Sequence, residues 1–107
     1  EIELSLGRVA AQGRSVATSG GAESVTVSFN PHLVPMTRGI LASCATRPRS
    51  TDGLSDEGLL ELYAAFYQDD PMVTLSRELP QTKAVLGSDR TLVSARYDRR
   101  SGHVLTF

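Results

Sequence analysis

Two stretches with alternating apolar and polar residues lie close together in the chain: TLVSARY at residues 91–97 and HVLTF at residues 103–107. Such alternation is typical of a strand with one buried face. The connecting run, DRRSG at residues 98–102, ends in Gly102, which can adopt the positive φ that a tight connection needs. The pattern predicts two antiparallel strands joined by a five-residue turn.

The clearest helix pattern covers residues 56–68. Ser55 is suited to cap it, because a serine hydroxyl can accept a hydrogen bond from a free backbone N–H of the first turn. Asp56 and Glu57 place negative charge where the helix dipole favours it. The apolar face of the predicted helix consists of Leu59, Leu60, Tyr63, Phe66 and Tyr67. Asp-Asp-Pro at residues 69–71 is expected to end the helix.

Further strands are predicted at residues 25–29, 40–46 and 72–75. Residues 32–36 are expected to be extended, because each of two prolines biases the residue before it away from helix. Residues 1–11 fit a helix and a strand equally well. Most elements are strands joined by short connections. The expected fold is therefore α+β, a mostly antiparallel or mixed sheet with one or two helices packed on one face.

The amino-acid composition limits the classes of function that this chain can have. The 107 residues amount to one domain, and the net charge of −1 gives no broad basic field for nucleic acid or an anionic membrane. A single cysteine excludes an internal disulfide, and no apolar run is long enough to cross a bilayer. A cytoplasmic location is expected. Because Glu1 is not a methionine and Phe107 falls inside an alternating pattern, we expect residues 1–107 to be one partial domain of a longer protein.

Few residues are candidates for chemistry on spacing alone. Cys44 lies in a strand-like run of small residues, which favours a buried, unreactive thiol over a nucleophile. Arg38 lies beside Gly39, where its guanidinium could reach a carboxylate or phosphate, or could form a surface ion pair instead. His32, between two prolines, and His103, expected to be exposed, could be acid–base groups or ordinary surface residues. No cluster has metal-ligand spacing, so no metal is predicted.

The same residues carry a resemblance to a known family. The run FNPHLVPMTRGILA at residues 29–42 is similar to a motif of N-acetyl-γ-glutamyl-phosphate reductases. A second match comprises Asp-Pro at residues 70–71, ELPQTKAV at residues 78–85 and Gly-Ser at residues 87–88, in the expected order. Asp89 departs from the pattern, because this Gly-Ser is usually followed by asparagine in the family.

The resemblance implies a function for a longer protein. These enzymes reduce N-acetyl-γ-glutamyl phosphate to N-acetylglutamate 5-semialdehyde and phosphate with NADPH, through a cysteine thioester. The catalytic cysteine, the histidine base and the nucleotide-binding domain would precede Glu1, so this chain is expected to hold no catalytic residue and to be inactive alone. It would be part of the second domain, which resembles the C-terminal domain of glyceraldehyde-3-phosphate-dehydrogenase-like reductases and carries substrate binding and subunit contacts.

Within this chain, the resemblance implies a site for the anionic acyl phosphate. Arg38 is the main candidate for substrate binding, and Thr37 and His32 are weaker neighbours. A homo-oligomer, dimer or tetramer, is expected. Two alternatives stay open: a reductase acting on a carrier-linked aminoadipyl phosphate in lysine synthesis, and, for the isolated chain, a non-catalytic oligomerisation module.

Overall fold

The computed structural model describes residues 26–107 of the chain, which divides into two units, Glu1–Pro35 and Met36–Phe107. In the first unit, residues 26–35 contain no helix or strand. The strand expected at residues 25–29 is therefore wrong for residues 26–29, and Val25 lies outside the described residues. The prediction relied on a half-buried apolar face, but the side chain of Phe29 is 73% exposed. The ambiguous segment at residues 1–11 also lies outside the described residues.

The second unit is built from short strands and one α-helix. Its elements in chain order are β1 (Cys44–Thr46), α1 (Asp56–Phe66), β2 (Val73–Leu75), a 3-10 helix (Thr82–Val85), β3 (Thr91–Val93), β4 (Ala95–Asp98) and β5 (His103–Thr106). An antiparallel sheet has the order β1-β5-β4, and β2 pairs with β3 in parallel. The predicted α+β class with an antiparallel sheet and a helix is confirmed.

The predicted hairpin supplies two of the three strands of the antiparallel sheet, with β5 at its centre and β4 at one edge. Asp98 pairs with His103, and the Gly102 N–H donates to the Asp98 carbonyl at 2.8 Å. Gly102 has a φ of +71°, as the turn pattern required. Because β4 extends to Asp98, the connection contains four residues instead of the predicted five.

The stretch predicted as one strand at residues 91–97 is divided at Ser94 into β3 and β4, which belong to different sheets. Ser94 is fully buried, and its backbone N–H and C=O pair with Phe107 at 3.0 and 2.9 Å. The preceding residues pair with β2 instead. Alternation in sequence does not reveal a change of pairing partner, because both strands keep the same period of two.

Local signals place α1 as expected. The Gly58 N–H donates to Ser55 Oγ at 3.0 Å, so Ser55 is the predicted N-cap. The helix ends at Phe66, two residues before the predicted end, and the Tyr67 N–H makes the last helical bond to the Tyr63 carbonyl. The Asp70-Pro71 pair then starts a turn.

The core lies where α1 packs against the hairpin. Leu59, Ala95 and Val104 are buried, and Leu54, Tyr63 and Tyr97 pack against them. Tyr63 Oη lies 2.8 Å from Thr106 Oγ1, which ties the helix to β5. Phe66 is 79% exposed, so the predicted apolar face is wrong at that position.

Residues 40–46 form a shorter strand than predicted, since only Cys44–Thr46 pair with β5. Ile40 and Leu41 are exposed and do not belong to a strand. In the part of the chain that the structure describes, no helix has the length and hydropathy to span a bilayer.

Replacing Leu59 with alanine should lower the free energy of unfolding by about 3 kcal/mol, because it opens a cavity between α1 and the hairpin. Leu62→Ala on the same helix is the matched control, since Leu62 is largely exposed and a surface truncation costs less than about 0.5 kcal/mol. Urea unfolding followed by circular dichroism measures both. Equal losses would show that Leu62 is buried in the assembled protein.

Candidate functional site

A bend in the chain holds the strongest predicted site residues. Thr37 and Arg38 form the bend, and both are exposed. The next residue, Gly39, has a φ of +98°, a conformation that residues with a Cβ rarely adopt. The glycine in the Thr-Arg-Gly triplet is therefore required by the backbone that presents Arg38.

Gly39 also packs closely against the start of the 3-10 helix. A Cβ placed on Gly39 would lie 3.3 Å from Thr82 Cβ and 3.5 Å from Thr82 Cγ2. A side chain there would press against Thr82. The contact joins the two stretches that carry the family resemblance, residues 29–42 and residues 78–85.

This contact brings two cations into one region. Arg38 precedes Gly39 and Lys83 follows Thr82, and both are exposed. Within residues 26–107, neither side chain has an ion pair or a hydrogen bond. Lys83 lies in the motif at residues 78–85, but the sequence alone predicts no role for it. The signal in the sequence that points to Lys83 is this motif, which contains the chain's only lysine.

His32 is exposed and belongs to the unit Glu1–Pro35, whereas Thr37 and Arg38 belong to the other unit. Its role in substrate binding stays a prediction. His103 is half-buried in β5, not exposed as expected, and its Nδ1 lies 3.0 Å from the Ser101 carbonyl.

Cys44 lies on β1 as predicted, but it is exposed, so the expectation of a buried thiol is wrong. All three residues of β1 are exposed. The physical reason is that α1 packs mainly against β4, two strands away from β1. Among the described residues no group of three or more His, Cys, Asp and Glu is arranged to hold a metal ion.

The carboxylate of Asp98 has a pKa below its ordinary value. The main cause is the Ser101 hydroxyl, which donates to Asp98 Oδ2 at 2.6 Å, and the Arg100 N–H adds a bond to Oδ1 at 3.0 Å. Both donors belong to the β4–β5 turn. The lowered pKa therefore comes from the hydrogen bonds of a turn and does not mark an acid–base group.

Two shallow cavities lie elsewhere. One, of about 170 Å³, is lined by Ser55, Asp56, Glu57, Tyr97 and Arg99 at the start of α1. Asp56 and Glu57 would repel a phosphate at this helix end, which disfavours a nucleotide phosphate in this cavity. The other, of about 310 Å³, lies between α1 and the end of β2, with Leu60, Ala64 and Leu75 among its lining residues. Neither contains Thr37 or Arg38.

The amino-acid sequence of this chain matches a known protein family. The profile of the family described as semialdehyde dehydrogenase, dimerisation domain, matches residues 2–107. The chain belongs to this family.

Particular relatives agree with the resemblance seen in the sequence. The N-acetyl-gamma-glutamyl-phosphate reductase of Thermus thermophilus is 50% identical over 108 residues, which cover 100% of this chain and 30% of the relative. The reductase of the same name from Desulforudis audaxviator is 41% identical over 107 residues, 98% of this chain and 27% of that protein. The chain thus spans less than a third of the length of these relatives. No solved structure matches the chain with comparable significance.

Gly39→Ala should destabilise the protein more than Gly53→Ala. Both glycines have positive φ, but a Cβ on Gly53 would meet nothing within 4 Å. Gly53→Ala should therefore cost about 1 kcal/mol of backbone strain, and Gly39→Ala about 1 to 3 kcal/mol more from the contact with Thr82. Thermal unfolding of the two variants measures the difference. Equal losses would contradict the close approach of Gly39 to Thr82.

Proposed function

We propose that this chain is the substrate-binding and dimerisation part of an NADPH-dependent reductase that converts N-acetyl-γ-glutamyl phosphate into N-acetylglutamate 5-semialdehyde and phosphate. The observation that carries the proposal is a 50% identity that extends over the whole chain to a protein of that name. The family description, a dimerisation domain of semialdehyde dehydrogenases, supports the same class of aldehyde-forming chemistry.

The rest of the proposed machinery lies outside this chain. The relatives are more than three times as long as the part that this chain matches. We assign the catalytic cysteine, which would form the thioester, and the histidine base to that remaining part. We assign the NADP(H) site to that part as well, because the family resemblance implies a separate nucleotide-binding domain. NADPH would supply the reducing equivalents of the reaction.

Substrate recognition is the proposed role of the bend at Thr37 and Arg38. The substrate carries a carboxylate and a phosphate, and a guanidinium can bind either with two parallel hydrogen bonds. Arg38 is exposed, and Gly39 fixes the backbone next to it through its positive φ. Thr37 adds a hydroxyl on the same bend, and His32 remains a further candidate.

Self-association is proposed as the second role of the chain. Among the described residues only Leu59, Ala95 and Val104 form a buried apolar core, whereas large apolar side chains such as Leu33, Ile40 and Phe66 are exposed. Burying such side chains against another subunit would remove apolar surface from water, which favours self-association. The family description, a dimerisation domain, supports self-association. The proposed assembly is a homo-oligomer, dimer or tetramer, in the cytoplasm.

The reaction can be tested in the oxidative direction with the full-length protein. NADP reduction with N-acetylglutamate semialdehyde should require inorganic phosphate, because phosphate must displace the cysteine from the thioester to form the acyl phosphate. Absorbance at the NADPH band measures the rate with and without phosphate. No turnover by a protein that still binds NADP would contradict the proposal and favour the carrier-linked aminoadipyl substrate.

Arg38→Ala in the full-length protein should raise the KM for the semialdehyde about tenfold or more, the usual loss when a charge-assisted hydrogen bond is removed. Arg99→Ala is the control, because Arg99 is an exposed arginine of the β4–β5 turn. Steady-state kinetics and light scattering are measured together. Unchanged kinetics with a smaller oligomer would instead assign Arg38 to a subunit interface.

A further inference from the structure

The close approach of Gly39 to Thr82 brings two cationic residues into one region. Arg38 is the chain neighbour of Gly39, and Lys83 is the chain neighbour of Thr82. The Cα atom of each cation therefore lies about 3.8 Å from that of a residue in the contact. Arg38 stands on the bend and Lys83 on the 3-10 helix. The two come from segments far apart in sequence, and the fold alone brings them together.

Neither cation has a structural role large enough to explain its position. Both side chains are exposed, and neither has a polar partner within residues 26–107. Lys83 lies in the last turn of the 3-10 helix, where a positive charge is favoured by the helix dipole. That effect is small at an exposed site and smaller still in a helix of four residues. Two unpaired cations in one region repel each other, and an anion bound between them would remove that repulsion.

We propose that Lys83 binds the phosphate group of the substrate while Arg38 binds its carboxylate. The inference rests on the proposed function and assigns a residue for which sequence reasoning gave no role. A planar guanidinium matches a carboxylate through two parallel bonds, whereas a lysine ammonium is a compact point charge suited to phosphate. The substrate has these two anionic groups at opposite ends, so two cations on separate segments can bind both at once.

The close approach of Gly39 to Thr82 explains how two flexible side chains can act together. Gly39 has a φ of +98°, and a Cβ on it would lie 3.3 Å from Thr82 Cβ. The backbones next to Arg38 and Lys83 are therefore near each other before a ligand binds. Binding then requires only the two side chains to become ordered, which reduces the entropic cost.

The test uses the full-length protein and separates the two anionic groups by kinetics. In the phosphate-dependent oxidation of the semialdehyde, inorganic phosphate and the carboxylate-bearing aldehyde are different substrates with separate KM values. Lys83→Gln should raise the KM for phosphate about tenfold or more and change that for the semialdehyde much less. Arg38→Gln should show the opposite pattern. Lys83→Arg should retain most of the phosphate affinity, because it keeps the charge.

A second measurement is independent of turnover. Inorganic phosphate should raise the Tm of the wild-type protein, because it binds the folded state, and Lys83→Gln should abolish that rise. Arg99→Gln is the control in both experiments, since it removes one exposed positive charge from the β4–β5 turn. The Tm without phosphate shows whether each variant is folded.

The outcomes distinguish the two proposals. Phosphate-dependent turnover by the wild type, with an unchanged phosphate KM in Lys83→Gln, would overturn the role of Lys83 and leave the proposed function standing. No turnover by the wild type would overturn the proposed function. In that case the rise in Tm caused by phosphate tests Lys83. An equal rise in the wild type and in Lys83→Gln would exclude Lys83 as a phosphate ligand.

Discussion

The packing of α1 on the β4–β5 hairpin is the interaction on which the second unit depends. Leu59 fills the space above Ala95 and Val104, and these three side chains form the buried apolar core of the described residues. The Asp56 carboxylate fixes the direction of the helix, because its Oδ1 accepts a hydrogen bond from the Tyr97 N–H at 2.8 Å. Its Oδ2 also lies 3.7 Å from Arg96 Nε, a partly exposed ion pair worth no more than about 1 kcal/mol. Apolar burial therefore supplies most of the stability, and the hydrogen bond from the Tyr97 N–H to the Asp56 side chain sets the register between helix and strand.

The candidate site depends on a different contact. Gly39 and Thr82 meet outside the small core, between a bend and a 3-10 helix. Most other polar side chains near turns have a local structural use: Ser55 caps α1, Asp70 accepts from the Met72 N–H, and Asp98 holds the β4–β5 turn. Arg38 and Lys83 have no such use within the described residues. Such unpartnered side chains are expected in a site built on connecting segments. A side chain that is bonded within the protein is less available to bind a ligand.

Much of the fold could be predicted because its signals are local. Ser55, the acidic first turn and the apolar period specify α1, and Gly102 specifies the hairpin turn. The errors occur where packing decides. The strand expected at residues 40–46 is reduced to Cys44–Thr46, because only those residues meet a partner on β5. Cys44 was expected to be buried, yet no described element covers β1. Phe66 fits the apolar face of α1 by period, but its side chain is exposed and does not belong to the core around Leu59. For the site, the sequence shows the motif around Arg38 and the motif that contains Lys83. It does not show that the two motifs meet in the folded chain.

The helix, the hairpin, the α+β class and the family follow from the amino-acid sequence, because caps, periodicity and motifs are properties of neighbouring residues. The division of residues 91–97 between two sheets at Ser94 and the parallel pairing of β2 with β3 depend on contacts between distant segments. The meeting of the bend that carries Arg38 with the 3-10 helix that carries Lys83 depends on such contacts as well. The physical reason is the same in each case: pairing and packing partners far apart in the chain are chosen by burial and close approach, and no local pattern records which partner is available.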